Sequence, residues 1–150
     1  MSTSVWGPPT WILFHTLIEK ISDEGFNKIG LQLFNYIKRI CHNLPCPDCT
    51  QHATQFLSRV NVGNIKTKTD LKNMIYIFHN VVNKRKNKPM YNVNNLEQYY
   101  KSKNTIEVYN NFIAHFKTKG NMKLLADSFQ RKMLIADFKK WIVLNIQYFI

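Results

Sequence analysis

The sequence predicts an all-α protein: a four-helix bundle with a short fifth helix, followed by a helical C-terminal extension. Three observations lead there. Apolar residues recur at spacings of three and four through successive segments. Short polar or proline-bearing stretches separate those segments. No run alternates with period two for long enough to make a strand.

The elements follow in order. Thr10 is placed to cap a first helix whose inward face carries Trp11, Phe14, Ile18 and Ile21, with Gly25 ending it. Phe26, Ile29, Leu33, Phe34, Ile37, Ile40 and Cys41 form the clearest amphipathic stripe of the chain, and Pro45 stops it. Pro47 stands where a helix tolerates proline, in its first turn, and Cys49, Ala53, Phe56, Leu57 and Val60 carry a third stripe. After "NVGN", Thr69 or Asp70 caps a fourth helix lined by Leu71, Met74, Ile75, Phe78 and Val82, and "NKRKNKP" stops it. "NVNNLEQYY" reads as a short fifth helix with Asn94 or Asn95 as its cap. Ile106, Tyr109, Phe112, Ile113 and Phe116 mark another helix. A long helical segment then runs from Asn121 to about Phe149 and ends "WIVLNIQYFI", an apolar surface that must pack on the bundle or on a second subunit. "KSKNT" divides a core of residues 1–100 from an extension of residues 101–150.

With 150 residues, 45% of them hydrophobic and 13% aromatic, the chain can bury one real core, and that composition excludes disorder. No stretch nears the roughly 20 apolar residues of a membrane span, and "MSTSVWGPPTW" lacks the pattern of a secretory signal. The net charge of +12 would suit nucleic acid or phosphate groups, yet no nucleic-acid reader motif accompanies it. The richness in Asn, Lys and Ile, residues of A/T-rich codons, explains much of that basicity without any partner.

The three cysteines cannot all pair within one chain, so Cys46 and Cys49 of "PCPDC" form the candidate functional pair and Cys41 is left over. A thioredoxin-like site would follow a strand, and there is none to follow. Zinc held by Cys41, Cys46, Cys49 and His52 is a rival, but Cys41 lies on an apolar stripe, where a free cysteine is a small core residue. Cys46 and Cys49, one helical turn apart, are within disulfide reach, about 5 to 6 Å between their Cα atoms. A helix N-terminus is expected to lower their pKa and make a thiolate available near neutral pH. Chemistry alone therefore stops at a redox-active dithiol, with the zinc site as its competitor.

"WGPPTWILFH" at residues 6 to 15 and "HNVVNKRKNKPMY" at residues 79 to 91 carry the reading further. Together with "PCPDC" they resemble the ERV/ALR family of FAD-linked sulfhydryl oxidases, in order and spacing, over about residues 5 to 100. The resemblance implies a four-helix bundle with a short fifth helix, holding FAD at its mouth and forming a homodimer. It implies that Trp11, His15, His79 and Asn83 surround the adenine and ribose of the cofactor, and that Gly7 and Asn80 also belong to the cofactor site. Lys86 and Lys88 would then approach the pyrophosphate, and Tyr91 and Tyr100 would close the pocket. Relatives commonly tie the fifth helix to the fourth with a second disulfide; here those positions are Tyr76 and Val93, so apolar packing is expected in its place.

The same resemblance implies that Cys46 exchanges with a client thiolate and that Cys49 passes two electrons to the flavin, with oxygen as acceptor and hydrogen peroxide as product. No additional cysteine pair serves as a shuttle, so a separate thiol protein, thioredoxin-like in kind, is expected to dock at Cys46. The compact chain, absent staple and added tail look like members encoded by large DNA viruses. That places the protein, with no signal peptide, in the host cytoplasm or virion, and otherwise in the mitochondrial intermembrane space. The rival from another class is a basic, non-enzymatic binding module with a C-x-x-C zinc site.

Overall fold

A computed structural model describes residues 3–90, 96–116 and 125–150, with side chains left undescribed at 125–128. Every regular element of the described residues is a helix, with no strand among them. The helices are α1 (Thr3–Lys20), α2 (Asp23–Cys41), α3 (Pro47–Ser58), α4 (Lys68–Arg85), α5 (Leu96–Lys101), α6 (Thr105–Phe116) and α7 (Leu125–Leu144). Short 3-10 turns follow at Val62–Asn64 and Ile146–Phe149. The expected fold class holds: four helices build the bundle, α5 is the short fifth, and α6 and α7 form the extension.

α1 is the central helix. Residues 13 to 19 are buried without interruption, which requires neighbours on every side of that helix. α4, α5, α6 and the last 3-10 turn supply them. The sequence stripe described only one inward face, because the partners on the other faces lie far along the chain. α1 also begins at Thr3 rather than behind Thr10, and contains both Pro8 and Pro9. Those prolines cost only the bonds their nitrogens would make to Ser4 and Val5, at the exposed start of the helix. Thr10 sits mid-helix and donates its hydroxyl to the Trp6 carbonyl at 2.7 Å.

Gly25 does not end a helix. Ser22 caps α2 by accepting from the Gly25 N–H, and Gly25 lies in the first turn because the chain terminus crosses it. A Cβ there would meet the Tyr148 Cβ at 2.6 Å. The cap of α4 is Thr67, not Thr69 or Asp70. Thr67 accepts from the Asp70 N–H at 3.1 Å and Asp70 accepts from the Thr67 N–H at 3.0 Å, a reciprocal capping box. The proposed caps Asn94 and Asn95 lie outside the described residues.

α7 runs antiparallel along α2. Trp141 donates to Gln32 at 2.7 Å, Tyr36 donates to the Asp137 carbonyl, and Arg39 pairs with Asp137 at 3.1 Å, so rising α2 numbers meet falling α7 numbers. The apolar end packs on the bundle, as one of the two sequence expectations had it. Phe149 is fully buried, Thr105 donates to its carbonyl, and the Ser22 N–H donates to Tyr148. Phe112, Phe116 and Phe138 share one hydrophobic cluster with Leu13, Phe14 and Leu33.

The fifth helix is held by packing, with Tyr100 only 2% exposed against α1, and by charge as well. Glu19, only 2% exposed, accepts on Oε1 from Tyr76 at 3.2 Å and from Lys72 at 3.0 Å. Lys72 also reaches Glu97 of α5 at 3.0 Å. Lys72 joins α1, α4 and α5, and Tyr76, one of the two staple positions, ties α4 to α1 beside it; Val93, the other, lies outside the described residues. Glu19→Gln keeps the shape but removes the charge that Lys72 and Tyr76 face, and should cost about 2 kcal/mol. Glu97→Gln, at an exposed site, should leave urea midpoints nearly unchanged. Equal midpoints for Glu19→Gln and the parent would show that the network does not hold the helix.

Candidate active site

Two connected hollows open between α1 and α4. The larger, about 430 Å³, has the first half of α1, the last half of α4 and α5 as walls, a volume in the range of small-molecule sites. Gly7, Trp11, His79, Asn83, Lys86 and Lys88 line it together with Tyr100. The smaller, about 50 Å³, lies deeper and is lined by Trp6, Phe14, Cys41, Cys49, Ala53 and Phe78 among others. Gly7, Trp11, Val82 and Lys86 border both, so the two are successive rooms of one site.

The end of α4 aims its lysines by a local device. Lys86 is the C-cap, Asn87 adopts φ 56° and the chain reverses. The Lys88 N–H donates to the Asn83 carbonyl at 2.8 Å and the Asn87 N–H to Lys84 at 3.2 Å, the two bonds of a Schellman motif. That reversal returns Lys88 to the large room beside Lys86.

Four rings form a continuous stack. Trp11 lies on His79 at 3.9 Å between centroids with planes 4° apart. His15 and His79 bring Nε2 and Nδ1 to 2.8 Å, so one ring donates and the other accepts. Tyr100 stacks on His15 at 4.7 Å. Trp11 and His79 in contact leave no slot between them for a flat ligand; they present a single wall to the large room. Burial lowers His15 to about 4, and burial with the nearby His15 and Lys88 lowers His79 to about 2. Both rings are therefore neutral at ordinary pH.

Cys46 is the N-cap of α3, in extended conformation, and Pro47 is the first helical residue. The Cys46 Sγ accepts from the Cys49 N–H at 3.2 Å, which fixes one sulfur over the helix end. Cys49 lines the small room and Cys46 does not. The expected lowering of thiol pKa is not found at Cys49. Burial and the adjacent Cys46 sulfur push it up to about 11, against the pull of Lys86 and Arg85. Desolvation outweighs the helix end because Cys49 faces the interior room. Cys41 is fully buried, its thiol pushed up by desolvation, as befits a core residue.

Of the residues singled out in sequence, the site brings together Gly7, Trp11, His79, Asn83, Lys86, Lys88, Tyr100 and Cys49. His15 stands behind the wall and supports His79. Asn80 is partly buried on α4 and borders neither room. Tyr91 lies outside the described residues. Sequence reasoning missed Trp6, Val82, Arg85 and Tyr99. Val82 and Arg85 were legible as the residues three and six beyond His79, on one face of the same helix. Among the described residues no three metal-ligating side chains converge, so the zinc reading finds no ligand set in them.

Residues 8–101 match the Erv1 / Alr family. The chain belongs to the Erv1/Alr family. The FAD-linked sulfhydryl oxidase of African swine fever virus, isolate Tick/Malawi/Lil 20-1/1983, is 31% identical over 104 residues, covering 68% of this chain and 87% of that one. The protein of the same name from isolate Pig/Kenya/KEN-50/1950 is 32% identical over 83 residues, 55% of this chain and 69% of its own. The rice FAD-linked sulfhydryl oxidase ERV1 is 26% identical over 85 residues, 57% and 43% of the two chains. No solved structure gives a significant match. The Erv1/Alr match ends where α5 ends, and α6 and α7 follow it.

The residues present suit a flavin dinucleotide. The Trp6 Nε1 is buried on the small room without a hydrogen-bond partner among the described residues, a donor awaiting an acceptor. A Cβ on Gly7, at the junction of the rooms, would meet no protein atom within 4 Å, so the backbone there faces open space. Aromatic rings and a sulfur line the inner room and two lysines the outer one, matching a flat ring system joined to a pyrophosphate.

Proposed function

We infer that this chain is a FAD-linked sulfhydryl oxidase, an oxidoreductase that forms disulfides in client thiols. The carrying observation is Cys49 facing the small aromatic room while Cys46, one turn away, caps the helix outside it. When bound, FAD accepts the electron pair taken from the dithiol and passes it to oxygen, giving hydrogen peroxide. Trp6, Phe14 and Phe78 would hold the ring system beside Cys49 and exclude water. Lys86 and Lys88 would pair with the pyrophosphate, and the Trp11–His79 wall with Asn83 and Tyr100 would hold the adenosine end.

The chain's own steps balance. A client thiolate attacks the Cys46 Sγ of the Cys46–Cys49 disulfide; the Cys46–Cys49 bond breaks and Cys49 leaves as thiolate. A second client thiolate attacks the client sulfur of the mixed disulfide and releases Cys46. The client loses two electrons and two protons, which the C-x-x-C gains. Lys86 and Arg85, whose charges already pull on Cys49, stabilise its thiolate.

Residues 1–100 are read as the oxidase core and 101–150 as an addition to it. A homodimer is part of the same reading, supported by the family resemblance and by the exposed apolar residues Phe129, Met133, Val143 and Leu144 along α7. The likeness to African swine fever virus proteins supports an origin in a large DNA virus, and so a host-cytoplasmic or virion setting. No helix among the described residues is long and apolar enough to cross a membrane.

A spectrum of the purified protein tests the reading. The expected result is a yellow protein whose flavin band bleaches on anaerobic addition of dithiothreitol and returns with air. A colourless protein that takes up no added FAD is incompatible with it.

A further inference from the structure

Trp6 is the first aromatic residue of α1 and stands in its opening turns, where a helix is usually exposed, yet only 5% of it meets solvent. It lines the small room that Cys49 also borders. Two local features hold it there. Pro8 and Pro9 fix φ in the turn that follows, and Thr10 donates its hydroxyl to the Trp6 carbonyl at 2.7 Å. The indole Nε1, in contrast, has no partner among the described residues.

Elsewhere the fold pairs such a group: the Trp141 Nε1 donates to Gln32 at 2.7 Å. A buried donor left unpaired is destabilising, so the one beside Cys49 is explained by an acceptor that arrives with a ligand. The room itself supplies none among the described residues. Phe14, Leu44, Ala53, Phe78 and Val82 carry no polar side-chain atom, and the Thr10 hydroxyl is already committed to the Trp6 carbonyl. Lys86 and Arg85 at the edge are donors only, the first half-buried and the second exposed. Trp6 is therefore the buried neutral donor of the room.

Resting on the oxidase reading, we propose that the Trp6 indole N–H donates to an acceptor on the polar side of the FAD ring system, orienting the ring against Cys49 and stabilising the negative charge it gains on reduction. The chemistry of that ring selects the acceptor. A dithiol passes its electron pair to the central part of an isoalloxazine, where a ring nitrogen adjoins a carbonyl. Cys49 is the sulfur that borders the room, so this polar region, and not the apolar dimethylbenzene end, belongs beside Trp6. The two electrons add negative charge to those same acceptors, and a hydrogen bond to a charged acceptor is roughly twice as strong as one to a neutral acceptor. An indole N–H is a donor only and does not titrate, so it favours the reduced ring at every working pH.

Trp6→Phe keeps the aromatic body and removes the N–H. Two equilibrium readouts on the full chain test it, neither of them turnover: the reduction potential of the bound flavin against a reference dye, and the dissociation constant for FAD. The ratio of reduced to oxidised flavin at a fixed poise should fall about tenfold in the variant, a potential lower by about 30 mV for this two-electron couple. FAD should also bind more weakly. A change of packing alone loosens the oxidised and the reduced ring alike and leaves the potential in place, so an unchanged potential overturns the proposal. If Trp6→Phe does not fold, the parent protein decides through the assigned NMR signal of the Trp6 indole N–H. Its exchange with solvent should slow when FAD binds, and the signal should move again on anaerobic reduction; a signal indifferent to both overturns the proposal equally. A yellow protein that oxidises dithiothreitol and shows neither effect loses the Trp6 assignment and keeps the oxidase reading. A protein that takes up no FAD loses both.

Discussion

Replacing Cys49 with serine abolishes turnover while leaving the protein yellow. Serine differs from cysteine by one atom, and the small room has a dozen other lining residues, so the ring-binding surface survives the change. The electron path does not. Cys49 is the sulfur that borders the room, and without it a thiol bound at Cys46 can neither close a disulfide nor pass its electrons inward. Oxygen consumption with dithiothreitol should fall by about three orders of magnitude or more, the scale of removing a covalent nucleophile. Anaerobic thiol should no longer bleach the flavin band. Cys46→Ser should also stop turnover, but there the loss lies in exchange with the client. Cys41→Ser discriminates between a third redox sulfur and a core residue: Cys41 is buried and forms no disulfide, so its loss should affect stability and spare the bleaching. A Cys49→Ser protein that still bleaches with thiol would contradict the assignment of the two sulfurs.

The helices were legible because their stripes are local. Phe26 through Cys41 repeat at helical spacing, and the same residues are buried in α2. The Thr67–Asp70 box is also present in the sequence as "TKTD", but propensity does not separate Thr67 from Thr69 or Asp70 as the cap, since it cannot say which polar residue turns inward. What stayed hidden depends on contacts between distant residues. Gly25 looks like a breaker until Tyr148, over a hundred residues later, is laid against it. Glu19 and Tyr76 give no sign of a buried ion network until α1 and α4 are side by side. The site divides the same way. Cys46, Cys49 and the α4 residues follow from motif and spacing, whereas the stack of Trp11 on His79 needs the packed fold. The Cys49 thiol obeys the same division: a helix end can be read from Pro47, but burial cannot.

The two buried histidines should make the cofactor-free protein weaken in mild acid, before any carboxylate contributes. In the unfolded chain each imidazole takes up a proton near its ordinary value of 6.5; in the folded chain His15 does so only near 4 and His79 near 2. Between these limits the unfolded state binds more protons than the folded one. Stability is therefore full above about pH 6.5 and declines as pH falls below it. His15 alone should account for about 2 kcal/mol between pH 6.5 and 5, and for about 3 kcal/mol by pH 4. The window is clean on the acidic side. Asp70 and Glu97 are the carboxyls held below their usual range, by backbone N–H groups of Lys66 and Thr67 and by Lys101 and Lys72, so their contribution fades only at lower pH. Urea midpoints at pH 7 and pH 5 measure the effect. The double variant His15→Leu with His79→Phe removes both groups, keeps an aromatic face against Trp11, and should flatten the profile over that interval. In the folded protein the pair stays neutral over that interval, so charge behind the adenosine wall, and with it a decline in FAD retention by the folded protein, should appear only near pH 4. A parent protein as resistant to urea at pH 5 as at pH 7 would mean that water or cation already reaches the pair, and that the wall is not the dry surface its burial implies.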